Sequence, residues 1–138
     1  MKIPFRIGIL VGLFAETMGS CGCGEKPSAN CTLSVVISVS PTSAVANHTA
    51  APPGNQVQFV AMAAPTAPAG CAVPLWIARV YGTWSNPDPA AITISSASDA
   101  TNGIAICKAA TNGAVPLTGT FTQLAPAPVT EVAQFTCN

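Results

Sequence analysis

The sequence predicts an all-β fold, a sandwich of two sheets built from about seven strands that follow an N-terminal signal helix. Thirteen prolines and eleven glycines are spread over the 138 residues, and they interrupt the chain too often for long helices. After residue 30, short runs with apolar side chains at roughly every second position alternate with turn sequences. Short strands spaced about ten residues apart in this way are typical of a two-sheet β-sandwich.

The charge of the chain excludes some classes of partner. Five basic and five acidic residues give a formal net charge of zero. Nucleic-acid binding needs a clustered basic face, so no nucleic-acid partner is expected. Low charge also occurs in membrane proteins, but no apolar run reaches the roughly 18 to 20 residues that a spanning helix needs.

The first twenty residues have the layout of a secretory signal peptide. Lys2 and Arg6 precede a short apolar run from Ile7 to Ala15. A positive segment followed by an apolar run too short for a permanent span is typical of such a signal. We therefore predict a signal helix over residues 1–20.

A cysteine motif follows this signal. Residues Met18–Cys21 read MGSC, which resembles the bacterial lipobox, where signal peptidase II cuts before a cysteine that carries a diacylglyceryl group. The resemblance implies that Cys21 is lipidated and attaches the protein to a membrane. A cut before Cys23 would leave no apolar residue at the first lipobox position. A metal site at the CxC sequence would need further ligands, but the only histidine is His48 and the next cysteine is Cys31. Secretion without a lipid remains the alternative.

Residues 21–30 are predicted to be a short flexible tether that carries Gly, Pro and Ser. The residue after Cys21 is Gly22 rather than an aspartate, so nothing resembles the signal that retains lipoproteins at the inner membrane. The sequence thus favours attachment to the outer membrane in an envelope that has two membranes.

The predicted strands lie between turn sequences that include SPT, PPGN, NPDP, DATNG, NG and APAP. A long connection rich in Pro, Ala and Gly, residues 64–74, follows the second strand. The seven strands are predicted at 33–39, 57–62, 78–85, 91–95, 103–109, 115–123 and 129–137.

Four stretches resemble bacterial immunoglobulin-like domains of the intimin and invasin type. Their order and spacing match the first strand end, the glycine-led second strand, the tryptophan segment and the stretch after it. They are SVSPT at 38–42, PGNQVQF at 53–59, TWSNPD at 83–88 and NGIA at 102–105. The resemblance implies an immunoglobulin-like sandwich over residues 31–138, with Trp84 as a core anchor. The cysteine-containing connection before Trp84 and the late cysteines depart from the family pattern.

Few aromatic residues remain once the signal is removed, so we expect a thin core made mostly of Val, Ile, Leu and Ala. Trp84 fills space between the sheets, and its indole N–H needs a partner there. Trp76 either caps one end of the core or presents an exposed binding ring. It is the candidate binding residue of the sequence.

The cysteines after residue 30 predict two disulfides in an exported protein. Four cysteines allow three pairings, but strands that alternate in direction place Cys31 and Cys71 at one pole, and Cys107 and Cys137 at the other. Pairing within each pole closes loops of roughly 40 and 30 residues, each worth about 3 to 4 kcal/mol in the chain-entropy model. Cys23 is left over on the tether.

The polar residues predict no catalytic or metal site. No acid lies near His48 in sequence, and no G-x-S-x-G, phosphate loop, zinc pattern or carboxylate pair is present. Asp88 and Asp99 fall in turns, where such side chains usually bond to their own backbone; a calcium ion between loops is the alternative.

These observations predict an exported, membrane-anchored, non-catalytic module of the bacterial cell envelope. Its role would be structural, adhesive or protein-binding, with an envelope protein or a surface polymer as partner and without a cofactor. The alternative is a small-ligand carrier or hydrolase of the envelope whose site has no recognisable motif.

Overall fold

The computed structural model of the protein describes residues 31–123 and 127–138. The predicted signal helix, the predicted lipidation site Cys21 and the predicted tether lie outside the described residues. Part of the last predicted turn, at 125–128, lies outside them as well.

The described residues form ten strands and no helix, so the predicted all-β class is confirmed. Most strands are short, and the residues between them form turns, bends and extended connections. The strands are β1 (Ser34–Ser40), β2 (Ser43–Ala46), β3 (Gln56–Gln58), β4 (Val60–Thr66), β5 (Ala78–Val80), β6 (Thr83–Ser85), β7 (Ile92–Ile94), β8 (Ile104–Cys107), β9 (Val115–Phe121) and β10 (Val129–Cys137).

The ten strands build two layers. Hydrogen bonding defines three sheets, with orders β1-β4-β5, β3-β8-β7 and β2-β10-β9-β6. The first two sheets are one layer, because only Phe59 separates β3 from β4. The Phe59 amide bridges the gap by donating to the carbonyl oxygen of Gly103 at 2.9 Å. All strand pairs are antiparallel except β2 with β10.

The order of strands within the layers is that of an immunoglobulin-like sandwich. One layer runs β1, β3/β4, β8, β7, and the other runs β10, β9, β6 with β2 added beside β10. These are the positions of strands A, B, E, D and G, F, C in the immunoglobulin fold. Buried side chains from both layers form one core, so the predicted sandwich is confirmed.

Each of the seven predicted strands has a counterpart in the structure. The structure has ten strands because two predicted strands are divided and one strand was not predicted. The predicted strand at 57–62 is divided at Phe59, and the one at 78–85 is divided at Tyr81 and Gly82, where the chain crosses between layers. Thus β5 pairs with β4, whereas β6 pairs with β9. Strand β2 was not predicted, because it has four residues and its parallel partner β10 is about 90 residues away in sequence. Strand β4 continues to Thr66, so the predicted connection begins later than residue 64.

The core has many small side chains and an aromatic centre. Twelve of its eighteen buried members are Val, Ile, Leu or Ala, as the composition predicts. The space between the layers is filled by Phe59, Trp84, Phe121 and Phe135. Phe59 meets Phe135 edge to face at 5.7 Å between ring centroids, and Trp84 meets Phe121 in the same way at 5.9 Å. Edge-to-face aromatic pairs add about 0.5 to 1.5 kcal/mol to the burial of their area.

The disulfides join residues within each pole, so the predicted pairing is confirmed. Cys31 bonds to Cys71 at what we call the upper pole, with 5.7 Å between their Cα atoms. Cys107 bonds to Cys137 at the lower pole, with 5.6 Å between their Cα atoms. The lower pair is buried at 2% and 1% exposure, whereas Cys31 is exposed and Cys71 half-buried.

Candidate interaction surface and polar groups

Trp76 lines a surface groove at the upper pole. The groove has a volume of about 340 Å³ and is lined by Ala64 and Pro65, near the end of β4, and by the connection from Val73 to Ile77. Trp76 is 39% exposed, and it is not among the buried residues of the core. Of the two interpretations of this residue, the exposed ring agrees with the structure and the core cap does not.

The chain before β5 presents apolar side chains to solvent. We call Val73–Ile77 the apolar segment; Leu75 is fully exposed and Ile77 is 71% exposed. No residue from 67 to 78 carries a charge. Pro74 has no amide hydrogen to donate, so the segment cannot pair along its full length as a strand. It is held at one end by the disulfide of Cys71 and at the other by β5.

A second groove lies on the outer face of the β3-β8-β7 sheet. It has a volume of about 350 Å³ and combines apolar and hydroxyl-bearing side chains. Ile104 and Ile106 project into it, while Ala105 and Cys107 between and after them are buried in the core. This surface was not predicted from the sequence. The run IAIC carries the signal, because four consecutive apolar residues in a strand make both of its faces apolar. The lining residues are Gln56, Thr93, Ile94, Ser95, Thr101, Ile104 and Ile106.

The side chains of His48 and Asp88 form hydrogen bonds with backbone groups. The Nδ1 atom of His48 is hydrogen-bonded to the carbonyl oxygen of Asn138, and the His48 amide donates to the same oxygen at 2.9 Å. The carboxylate of Asp88 accepts from the amide of Ala91 at 3.1 Å. The predicted turn role of Asp88 is therefore confirmed.

Asp99 also has the predicted turn role. Its carboxylate accepts from the hydroxyl of Thr101 at 2.6 Å and from the Thr101 amide at 2.7 Å. These two hydrogen bonds lower the pKa of the Asp99 carboxyl, and the positive charge of Arg79 acts in the same direction. Arg79 itself donates to the carbonyl oxygen of Ala100 at 3.2 Å, and its guanidinium lies 5.5 Å from the centre of the Tyr81 ring.

Asn102 has a structural role that the sequence analysis missed. It is buried at 3% exposure, and its Oδ1 accepts from the indole N–H of Trp84 at 3.0 Å and from the Gly82 amide at 3.3 Å. Its Nδ2 donates to the carbonyl oxygens of Gly82 at 2.9 Å and Ala97 at 2.7 Å. The expected partner of the Trp84 indole is therefore this amide. The sequence signal was misleading, because Asn102-Gly103 also reads as an ordinary turn.

Within residues 31–123 and 127–138, no three His, Cys, Asp or Glu side chains are grouped so that they could hold a metal ion. The same residues contain no helix that is long and apolar enough to cross a membrane.

Comparisons of the chain with protein-family models, with curated proteins and with solved structures found no match.

Proposed function

We propose that the chain is an exported, lipid-anchored, non-catalytic immunoglobulin-like module of the bacterial cell envelope, related to the domains of intimin and invasin type. Its role would be structural, adhesive or protein-binding. The anchor would be the lipid on Cys21, at the outer membrane where two membranes exist.

The observation that carries the proposal is the pair of disulfides, one at each pole of the sandwich. Disulfides persist in oxidising compartments and are rare in the reducing cytosol. The core they reinforce contains six alanines. A domain with such small core side chains gains much from covalent ties, which suits a protein that works outside the cytosol.

The use of the polar side chains supports a non-catalytic role. Nucleophilic and acid–base catalysis needs groups within hydrogen-bond reach of each other and of a substrate. Here the side chains of Asp88 and Asp99 accept from nearby backbone amides, and His48 contacts a backbone carbonyl at the lower pole. Each of these groups already stabilises the fold where it lies.

The positions of the apolar surfaces support a binding or structural role over that of a carrier. A carrier would enclose most of the surface of a small ligand in a concave site. The aromatic rings of Phe59, Trp84, Phe121 and Phe135 occupy the space between the layers. Both grooves lie on the outside of the sandwich, where an extended partner can reach them.

The anchor is tested by labelling cells that express the full chain with radioactive palmitate. We expect label in the wild-type protein and none in Cys21→Ser. The matched control is Cys23→Ser, which removes the neighbouring thiol and should keep the label. Continued labelling of Cys21→Ser would refute the lipid anchor, and an unlabelled wild-type protein found in the periplasm would favour plain secretion.

The binding role is tested by photo-crosslinking in intact cells. A photoreactive amino acid at Ile106 samples the second groove, and the same amino acid at the exposed Gln134 samples the opposite layer as a control. We expect a discrete adduct with an envelope component from Ile106 and none from Gln134. Equal adducts from both positions, or none from either, would argue against partner binding at this groove.

A further inference from the structure

We infer that the apolar segment, Val73–Ile77, contacts the lipid surface to which the chain is anchored and thereby fixes the orientation of the domain on the membrane. The inference rests on the proposed lipid at Cys21, and it assigns a partner to the groove at Trp76.

The apolar segment lies next to the point where the described chain begins. The described domain begins at Cys31, and the disulfide joins this residue to Cys71, two residues before the apolar segment. The chain that leads to the proposed anchor therefore enters the domain beside the apolar segment. Cys31 lies ten positions after Cys21 in the sequence, and a fully extended chain covers at most about 3.6 Å per residue. The upper pole thus stays within about 36 Å of the lipid-bearing cysteine.

The exposed side chains of the apolar segment have the chemistry of a surface that inserts into lipid. Leu75 is fully exposed, Ile77 is 71% exposed and Val73 is 41% exposed, so their transfer from water into acyl chains is favourable in proportion to the area removed. The ring of Trp76 has an apolar body and one N–H, which suits the boundary between headgroups and acyl chains. No charged side chain in residues 67–78 opposes insertion.

The apolar segment is held in place at both ends. The Cys71 disulfide and the pairing of β5 with β4 hold its two ends, and the Trp76 amide donates to the carbonyl oxygen of Pro74 at 3.2 Å. A segment fixed in this way loses little conformational entropy on insertion. Two acyl chains on Cys21 would be enough for durable attachment, so the apolar segment adds orientation rather than the anchor itself.

The test uses the acylated protein isolated from membranes and reconstituted into vesicles of phosphatidylethanolamine and phosphatidylglycerol, with or without brominated acyl chains. Bromine quenches tryptophan only at close range. We expect the brominated lipid to quench Trp76, whereas Trp84 stays bright because it is buried at 6% exposure between the layers. Trp76→Phe should therefore abolish the quenched component and keep the rest of the emission.

Variants of the segment separate insertion from simple proximity. Leu75→Ser should lower the ratio of inserted to free segment by about tenfold, since burial of a leucine is worth about that factor or more. The matched control is Val45→Ser, which changes a valine that is 61% exposed on β2, away from the segment. It should leave the quenching of Trp76 unchanged.

The outcomes distinguish this inference from the proposal on which it rests. An acylated wild-type protein whose Trp76 is not quenched, or is quenched equally after Leu75→Ser, would overturn the inference and leave the anchor standing. Absence of palmitate label would refute the anchor whatever the fluorescence. If a second copy of the chain or another protein covers the groove, Trp76 stays insensitive to brominated lipid, and the inference is again overturned.

Discussion

Replacement of Asn102 by alanine removes the side chain that joins three segments where the chain crosses between the layers. In the wild type, the side-chain oxygen of Asn102 accepts from the Gly82 amide and the Trp84 indole. Its side-chain nitrogen donates to the carbonyl oxygens of Gly82 and Ala97. Neither layer supplies strand pairing at Tyr81 and Gly82. The side chain of Asn102 thus replaces the ladder hydrogen bonds that the crossing interrupts.

The unfolding free energy lost in Asn102→Ala follows from the polar groups that lose their hydrogen-bond partners. A buried polar group that loses its only partner costs about 1 to 3 kcal/mol. Water can enter the space left by the amide, which favours the lower limit. Three of the four groups are buried, the amide and carbonyl of Gly82 and the indole of Trp84, whereas Ala97 is exposed and water can replace its bond. Three buried groups at about 1 kcal/mol each give about 3 kcal/mol of lost unfolding free energy. Asn102→Asp should cost at least as much, because its carboxylate would face the Gly82 and Ala97 carbonyl oxygens without a donor.

Urea unfolding of the disulfide-bonded protein, followed by tryptophan fluorescence, measures this change. The matched control is Asn47→Ala, whose exposed side chain also accepts two hydrogen bonds, from the amide and hydroxyl of Thr49 at 2.9 and 2.8 Å. Water replaces those bonds, so the control should lose less than about 1 kcal/mol. If Asn102→Ala costs no more than Asn47→Ala, the argument from burial is wrong.

Three further predictions concern the backbone, the covalent ties and pH. Gly103→Ala should cost about 3 kcal/mol in urea unfolding, because Gly103 has φ +77° and an added Cβ would collide with the Phe59 carbonyl. Gly113→Ala, at φ +85° in open space, should cost only about 1 kcal/mol, and equal losses would contradict the collision. Replacement of both Cys107 and Cys137 by alanine should lower the unfolding free energy by more than the roughly 3.5 kcal/mol of loop entropy, because both cysteines are buried. Calorimetry that finds a smaller loss than for removal of the upper disulfide would refute this prediction. The Asp99 carboxyl, whose pKa is lowered, should titrate below the usual range of aspartate in NMR. Its stabilising effect should be present at neutral pH and lost as pH falls through that lowered pKa. A titration midpoint at or above the usual range would contradict the role of the Thr101 hydrogen bonds.

Much of the fold could be predicted because its signals are local. Turn sequences and alternating apolar residues mark seven strands, and the alternation of strand direction then places each cysteine at a pole. These poles pair Cys31 with Cys71 and Cys107 with Cys137, as the structure shows. The pairing follows from the alternating direction of the predicted strands alone and does not depend on the side-chain contacts of the cysteines.

The remaining features depend on contacts between segments distant in sequence. Asn102 lies in a sequence typical of a turn, and nothing in its neighbours indicates burial beside Trp84. The crossing at Gly82 is equally hidden, because one alternating run covers both β5 and β6. The sequence also left two interpretations of Trp76 open, since an aromatic ring near the end of a connection can face either way. Only the packing of that connection against the end of β4 decides between them.

The same crossing connects the stability of the fold with the proposed membrane contact. Strands β5 and β6 have three residues each, so pairing alone holds this part of the chain weakly. The polar network at Asn102 fixes the far side of β5, and the Cys31–Cys71 disulfide fixes the chain before the apolar segment. Between these two points, Leu75 and Trp76 can remain exposed without loosening the core, because none of the buried core residues belongs to the apolar segment. An apolar surface that contributes nothing to the core is free to serve an external contact. Because this surface lies beside Cys31, where the described chain begins, the lipid surface proposed at Cys21 would be its nearest apolar partner.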